Sequence, residues 1–214
     1  MNRTEFTGHA HITYKRPELD TEYDFIAVID GLPQQDRWSF GLAEQITNML
    51  DVERLPWRRF DCGNKLGLAS AFETLLQSAS TGEKFCIQFV GHGNKKGLGV
   101  GANEFLTWNE FGNFLVPINE FMAGVLILNM TSCNGLHGIR SVPLATTRDP
   151  FFGIIGPLKT LVVADAIDIN KRLYTKWFNG VHINVIVKEI NQELVREVLY
   201  CASAEGYRTL QAPE

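Results

Sequence analysis

The sequence predicts an α/β fold, with a mainly parallel sheet flanked by helices on both faces. Three short segments, "YDFIAVIDG", "KFCIQFVG" and "GVLILNM", are apolar at successive positions, which is typical of strands that are buried on both faces. Amphipathic helical patterns separate these segments, as in parallel βαβ units. No linker rich in proline, glycine or serine divides the chain. We therefore predict one domain at 23–214, preceded by a polar N-terminal arm at 1–22.

The first half of the domain alternates between strands and helices. "YDFIAVIDG" is the first strand, "WRRFDCG" a second, edge-like strand and "KFCIQFVG" the third. The segment "DRWSFGLAEQITNML" predicts the first helix, with Asp36 as its N-cap, and "LGLASAFETLLQSAS" predicts the second. Their apolar positions at helical spacing are Trp38, Leu42, Ile46 and Met49 in the first helix, and Leu68, Phe72, Leu75 and Ala79 in the second.

The second half continues the alternation. "GLGVGANEF" predicts a glycine-rich hairpin, and "LTWNEFGNFLVPINEF" predicts a helix that Pro117 should end or kink. "GVLILNM" and "PFFGIIGP" are the fourth and fifth strands. Two more helices are expected in "DAIDINKRLYTKWFNG", with Gly180 as its stop, and in "INVIVKEINQELVREVL", whose apolar stripe reaches Val198.

Composition excludes several classes of protein. The net charge of -4, with acidic and basic residues interspersed, gives no basic surface for nucleic acid and no polybasic membrane patch. The first twenty residues lack the apolar core of a signal peptide, and the longest apolar runs, of about eight residues, are too short to span a bilayer. No metal or cofactor motif is recognisable. We therefore expect a cytoplasmic protein without a cofactor.

Two of the predicted strands end in a reactive side chain beside glycine. "FVGHG" delivers His92 after the third strand, and "LNMTSCNG" delivers Cys133 after the fourth. Sequential strands usually neighbour one another, and ligands bind at the carboxyl ends of parallel strands, so the two side chains should face a common cleft. A thiol needs a nearby base to become a nucleophile at neutral pH. The backbone N–H groups of Gly93 and Cys133 are the natural donors to an oxyanion.

These two blocks resemble the His-Gly and Cys blocks of caspase-like (clan CD) cysteine peptidases, the clan of caspases, metacaspases, gingipains, separase and bacterial CHAT-domain proteases. "SCNG" is similar to the Cys-x-Gly of the caspase signature, although Thr131-Ser132 stands where caspases have Gln-Ala. "FFGIIGPLKTLVVADAIDINKRLYTKWF" resembles the CHAT pattern of strand, turn and final helix. The resemblance is closest to the CHAT-domain proteases.

The resemblance implies a cysteine endopeptidase that cleaves protein or peptide substrates through a Cys-His dyad, with Cys133 as nucleophile and His92 transferring the proton. It also implies a sensor protein that switches the enzyme on. Carried over from the clan, Asp30 and Asp165 would bind substrate. A carboxylate at Asp30 would favour Lys or Arg before the cleaved bond, whereas nearby Arg37 would favour an acidic residue.

Other interpretations of these residues remain open. Asp30 could cap the turn at Gly31, and Asp165 could be the N-cap of the next helix. His137 could be the base, and Ser132 could be imagined as a nucleophile, although no G-x-S-x-G motif is present. For the whole domain the alternatives are a catalytically silent interaction module and a doubly wound domain that binds a small ligand. His9 and His11 form an H-x-H pair without further nearby ligands, and the hairpin segment lacks the end of a phosphate-binding loop.

Overall fold

The computed structural model describes residues 21–211. Most of the predicted N-terminal arm and the pair His9 and His11 therefore lie outside the described residues. The described chain contains nine strands. They are β1 (Phe25–Asp30), β2 (Trp57–Asp61), β3 (Phe85–Val90), β4 (Gly93–Asn94), β5 (Gly97–Val100), β6 (Glu104–Thr107), β7 (Ile127–Thr131), β8 (Gly153–Gly156) and β9 (Tyr200–Ser203).

Six strands form one mainly parallel sheet in the order β2-β1-β3-β7-β8-β9, which confirms the predicted fold class. The first five strands run parallel, and β9 pairs antiparallel with β8 at the edge. β2 is the opposite edge, as its sequence predicts. Strands β4, β5 and β6 form a small antiparallel sheet directly after β3, so the predicted glycine-rich hairpin is confirmed.

Helices cover both faces of the central sheet. They are α1 (Gln34–Phe40), α2 (Leu42–Val52), α3 (Lys65–Ser80), α4 (Trp108–Phe121), α5 (Val163–Trp177), α6 (Ile183–Glu193) and α7 (Ala204–Gln211), with a 3₁₀ helix at Gly135–Ser141. Successive side chains of a strand point to opposite faces. In β3, the ring of Phe89 meets Phe111 of α4 at 5.7 Å, whereas the side chain of Gln88 accepts a hydrogen bond from Tyr174 of α5.

The prediction of a single helix after β1 is wrong in one respect, because two helices, α1 and α2, occupy this segment. Gly41 takes a left-handed conformation (φ 54°) that ends α1 and precedes α2. Residues of α2 follow the predicted pattern, with Leu42 and Ile46 buried. Trp38 is 78% exposed and does not belong to the buried stripe. The left-handed conformation suits glycine, which lacks a Cβ atom.

Two further boundaries differ from the prediction. Pro117 lies inside α4 without ending it, so of the two effects predicted for this residue only a kink stays a prediction. The stripe predicted to reach Val198 stops at Glu193, where α6 ends. Beyond that point the Asn191 side chain accepts hydrogen bonds from the N–H groups of Val198 (2.9 Å) and Leu199 (3.0 Å). These bonds satisfy backbone N–H groups that would otherwise donate within a longer helix. The chain can therefore leave the helix and turn towards β9.

The carboxyl ends of the five parallel strands meet at one edge of the sheet, and the loops after β3 and β7 lie there. Within residues 21–211, no helix has both the length and the apolar character that crossing a bilayer requires.

Candidate active site

The carboxyl ends of β3 and β7 bring the two predicted reactive residues to the same edge of the sheet. The strands are parallel neighbours, as predicted, with Val90 opposite Thr131. The N–H of Gly91 donates to the carbonyl oxygen of Thr131 over 3.4 Å, so the chains stay close beyond the last paired residues. His92 and Cys133 each come two positions after a member of the last pair. Their loops therefore begin side by side.

Gly93 places the two loops in direct contact. A Cβ atom at this position would lie 2.4 Å from the carbonyl oxygen of Cys133 and 3.2 Å from the Ser132 Oγ. Only glycine permits so close an approach of the two backbones. The N–H of Gly99 donates to the His92 carbonyl oxygen over 3.0 Å, which ties the His92 loop to the hairpin that follows.

The imidazole of His92 has a carboxylate partner that the sequence prediction missed. His92 Nε2 lies 2.6 Å from Asp36 Oδ2, and the side chains are 56% and 28% exposed. Asp36 was predicted as a helix N-cap, which is wrong: Pro33 occupies that position, and Asp36 lies within the first turn of α1. An ionised carboxylate can only accept, so Nε2 carries the proton in this pair. Nδ1 is then the nitrogen that can exchange a proton with a thiol.

Cys133 is a half-buried free thiol in a loop that is held at both ends. Before it lies β7; after it, the N–H of Asn134 donates to the Lys159 carbonyl oxygen (3.0 Å), and the N–H of Leu136 donates to the Pro157 carbonyl oxygen (3.1 Å). Asn134 is left-handed (φ 59°), a conformation that asparagine tolerates better than most residues. The segment after β8 therefore fixes the path of the chain just beyond the thiol.

A buried hydrogen-bond network supports the Cys133 loop from below. Thr131 Oγ1 accepts from Gln88 Nε2 (2.5 Å) and from Asn170 Nδ2 (2.9 Å). Asn170 belongs to α5, so the network joins that helix to the end of β7, two residues before the thiol. The complete set is Gln88, Asn129, Thr131, Asn170 and Tyr174.

This network was missed by sequence reasoning, although a signal was present. Gln88 and Asn129 are polar residues inside the apolar runs "FCIQFV" and "LILNM". Buried polar side chains require hydrogen-bond partners, so each of them indicates a second polar group nearby. The pairing register places the two opposite each other, and Asn129 Nδ2 donates to Gln88 Oε1 over 2.7 Å.

Two alternative reactive groups are poorly placed for chemistry. The Oγ of Ser132 is buried and has no hydrogen-bond partner among residues 21–211, so a substrate cannot reach it in this conformation. His137 lies half-buried in the 3₁₀ helix. Burial lowers its pKa to about 4, with Arg140 and Lys95 adding to the effect. A base works best when its pKa lies near the working pH, so His137 is a weak candidate at neutral pH.

Asp30 lies at the end of β1 and is engaged by neighbouring groups. It is 1% exposed, and its Oδ1 accepts from the N–H of Leu32 over 3.1 Å, which matches the turn-cap interpretation. Its Oδ2 lies 3.4 Å from Arg37 Nε and 3.3 Å from Arg59 Nη2. Burial raises the pKa of the carboxyl group, against the opposing effects of the Leu32 N–H and both arginines. Both oxygens therefore have partners within the protein.

Asp165 lies in the first turn of α5 but does not cap it, because Val162 occupies the N-cap position. Its carboxylate pairs with the guanidinium of Arg196, and its side chain is 20% exposed. The role in substrate binding that the resemblance implies for Asp30 and Asp165 stays a prediction.

Within the described part of the chain, no cluster of three or more His, Cys, Asp or Glu side chains could hold a metal ion. What the site does contain is a thiol, an imidazole paired with a carboxylate, and backbone N–H groups at a contact between two loops. These are the groups that acyl transfer through a thioester requires. No protein-family model matches the chain, and no curated protein matches it.

Proposed function

We propose that this chain is a caspase-like cysteine endopeptidase, nearest to the bacterial CHAT-domain proteases, which cleaves proteins through Cys133 and His92. The observation that carries the proposal is the contact of the two loops after β3 and β7, where Gly93 lies against the backbone of Cys133. This contact brings together the thiol loop, the imidazole loop and backbone donors at the sheet edge where ligands bind in parallel α/β folds.

The proposed reaction begins with transfer of the Cys133 thiol proton to His92 Nδ1. The sulfur then attacks the peptide carbonyl carbon, and the carbonyl oxygen becomes an oxyanion that accepts hydrogen bonds from the N–H groups of Gly93 and Cys133. The protonated His92 gives its proton to the leaving amine as the C–N bond breaks. A water molecule, deprotonated by His92, hydrolyses the thioester and releases the second product.

Asp36 has a positioning role in this proposal. Its contact with Nε2 fixes the ring orientation and presents Nδ1 as the free nitrogen. The carboxylate also stabilises the imidazolium that forms after proton transfer, as an acceptor of a charge-assisted hydrogen bond. His92 and Asp36 belong to distant parts of the sequence, and α1 holds the carboxylate in place.

The resemblance also supports a sensor partner that switches the enzyme on. The composition of the chain supports a cytoplasmic location. Cys62, Cys86 and Cys133 are free thiols, which is typical of a reducing compartment. Of these, Cys86 is buried and burial raises its pKa, and burial raises the pKa of Cys62 to about 12. A high thiol pKa leaves little thiolate, so neither is a competing nucleophile.

A peptide acyloxymethyl ketone probe tests the proposal directly. We expect it to label the native protein at Cys133, with labelling abolished by Cys133→Ala and strongly slowed by His92→Ala. Cys86→Ala is the matched control, because it also removes a thiol but should leave labelling intact. Equal labelling of the wild type and Cys133→Ala would refute the proposal. A folded wild type that is never labelled, with or without a protein lysate to supply an activator, would favour the silent interaction module.

A further inference from the structure

Four exposed basic residues lie on segments that adjoin the loop carrying Cys133, and we call them the basic rim: Lys95, Lys96, Arg140 and Lys159. They come from three separate segments: the turn between β4 and β5, the 3₁₀ helix after Cys133, and the segment after β8. Arg140 Nη1 donates to the Lys95 carbonyl oxygen over 3.4 Å, and the Lys159 carbonyl oxygen accepts from the N–H of Asn134 over 3.0 Å. Hydrogen bonds thus hold these segments next to the thiol loop.

The positive charges of the basic rim are not paired with acidic side chains within residues 21–211. All four side chains are exposed, and among the described residues none of them forms an ion pair. The N–H of Trp108 donates to the Lys96 carbonyl oxygen over 3.2 Å, so the start of α4, with Glu110 in its first turn, lies beside the rim. Glu110 is itself engaged, because its Oε2 accepts from both the N–H and the Oγ1 of Thr107 at 2.7 Å.

The charged side chains of β1, β2 and α1 differ from the basic rim, because they are paired with other side chains. Arg37 and Arg59 both contact Asp30, Arg59 also contacts Asp61, and Asp36 contacts His92. The positive charge near Cys133 is therefore local, in a chain whose net charge is -4. The lowered pKa of His137 agrees with a positive field at the basic rim. Burial is the larger cause of the lowering, and the charges of Arg140 and Lys95 add to it.

We propose that the basic rim recognises an acidic segment of the protein substrate as it lies across Cys133. This inference rests on the proposed peptidase function and names its substrate class: polypeptides with Asp or Glu residues flanking the cleaved bond. Opposite charges pair best when the partner chain passes close to several cations at once, and a row of carboxylates also speeds encounter with the site. The four cations come from three segments that adjoin the Cys133 loop, so they can contact such a chain at several positions.

An acidic peptide fits this surface better than a nucleic acid. The uncompensated charge is confined to four side chains around one loop, whereas nucleic-acid binding typically uses a stripe of basic residues along a face. The net charge of -4 repels a long polyanion, but a short acidic segment meets the local positive field. The segments that carry the rim also adjoin the Cys133 loop, where a peptide must lie for cleavage.

Two matched acyloxymethyl ketone probes test the inference, one with Glu at the positions preceding the reactive group and one with Gln at the same positions. We expect the Glu probe to label Cys133 roughly tenfold faster at low ionic strength, with the difference shrinking in high salt. Lys95→Gln/Lys96→Gln should remove most of the preference and leave labelling by the Gln probe unchanged.

The matched control is Arg54→Gln/Lys84→Gln. These two cations are exposed and lack ion pairs within residues 21–211, and they precede β2 and β3, at the opposite edge of the sheet. The control removes the same charge, so a loss of preference there would assign the effect to net charge and overturn the inference. Equal labelling by both probes would also overturn it, while leaving the peptidase proposal standing.

A binding measurement separates the inference from catalysis. The variant Cys133→Ala should bind a fluorescent Glu-rich peptide, measured by anisotropy, and bind the Gln-rich peptide at least tenfold more weakly. If neither probe labels Cys133 but the Glu-rich peptide binds, the peptidase proposal fails and the acidic docking surface stands. Tighter binding of a single-stranded oligonucleotide than of the peptide, lost in Lys95→Gln/Lys96→Gln, would replace the peptide with nucleic acid and overturn the inference.

Discussion

Asp36 and His92 lie 56 positions apart in the chain, yet Asp36 Oδ2 lies 2.6 Å from His92 Nε2. The contact links α1, which follows β1, to the loop after β3, the next strand of the sheet. It gives the imidazole one defined orientation at the edge where the thiol also lies. The carboxylate, the imidazole and the thiol thus come from three consecutive positions in the sheet: β1, β3 and β7.

Asp36→Asn should lower kcat/KM for peptide cleavage by roughly tenfold or more, which is a part of the ~10²–10⁴-fold that a positioned acid–base group contributes. The amide can still accept from Nε2 but carries no charge to stabilise the imidazolium. We expect the loss in kcat, with little change in KM, because Asp36 is proposed to act through His92. Steady-state kinetics on one fluorogenic peptide provides the measurement.

The control for Asp36→Asn is Glu44→Gln, which removes the same charge from an exposed position in the first turn of α2. It should leave kcat and KM unchanged. If both variants lose the same activity, the effect of Asp36 is electrostatic at long range, and the positioning role is wrong.

His92→Ala should reduce turnover by several orders of magnitude, since a nucleophile and its base act as one unit. His137→Ala should have a mild effect, because burial holds the pKa of His137 at about 4 and its imidazole is a weak base at neutral pH. Both variants are compared in the same peptide assay, with folding checked by circular dichroism. The opposite ranking would move the base to His137.

Gly93→Ala should impair both folding and chemistry. The added methyl carbon would lie 2.4 Å from the Cys133 carbonyl oxygen, a backbone atom that cannot move without displacing the loop. We expect a fall in the free energy of unfolding of about 1–3 kcal/mol and loss of probe labelling at Cys133. Urea unfolding and labelling provide the two measurements.

Gly63→Ala serves as the comparison for Gly93→Ala, because a Cβ atom there would have no heavy atom within 4 Å. This variant should keep wild-type stability and labelling. A Gly93→Ala protein that is as stable and as reactive as Gly63→Ala would disprove the close contact between the two loops.

The carboxyl group of Asp30 should make stability depend on pH. Burial raises its pKa above the ordinary value of 3.8, so the folded state binds the proton more tightly than the unfolded state. The resulting stability is fully present below that ordinary value and is lost as the pH rises through the raised pKa. Asp30→Asn stays neutral and should lack this decline. Urea unfolding of both proteins from about pH 3.5 to pH 7 measures the difference.

A parallel decline in both proteins would show that Asp30 does not titrate in the way its burial implies.

The variant Asp30→Asn also tests the substrate-binding prediction. If Asp30 selects Lys or Arg before the cleaved bond, Asp30→Asn should lose kcat/KM on those peptides more than on Leu or Met peptides. Since Arg37 and Arg59 already engage the carboxylate, we expect no such selective loss.

Much of the fold could be predicted because local patterns determine it. The apolar runs of β1, β3 and β7 and the heptad-like spacing of α3 are readable in the sequence. The catalytic candidates were also visible, since His92 and Cys133 stand beside glycine at strand ends. The break at Gly41 was missed because glycine is tolerated in helices, and its left-handed conformation depends on the packing of both flanking helices.

The partner of His92 could not be predicted, because a contact between residues in α1 and after β3 depends on tertiary structure. Asp36 fits the pattern of a helix cap equally well in the sequence. The basic rim was hidden for the same reason: its cations come from separate segments in a chain whose overall charge is negative and well mixed. The composition of a local segment does not show which loops contact one another in the folded protein.

The antiparallel edge strand β9 has a consequence for biosynthesis. Ribosomes produce the chain from its N-terminus, so Tyr200–Ser203 is the last strand of the central sheet to emerge. Until then β8 has an unpaired edge, although the segment just after β8 holds the Cys133 loop through Pro157 and Lys159. A nascent chain therefore carries the thiol for some 67 residues before β9 can complete the sheet beside it. Maturation of the proposed site would therefore be late and would coincide with the completion of synthesis of this region.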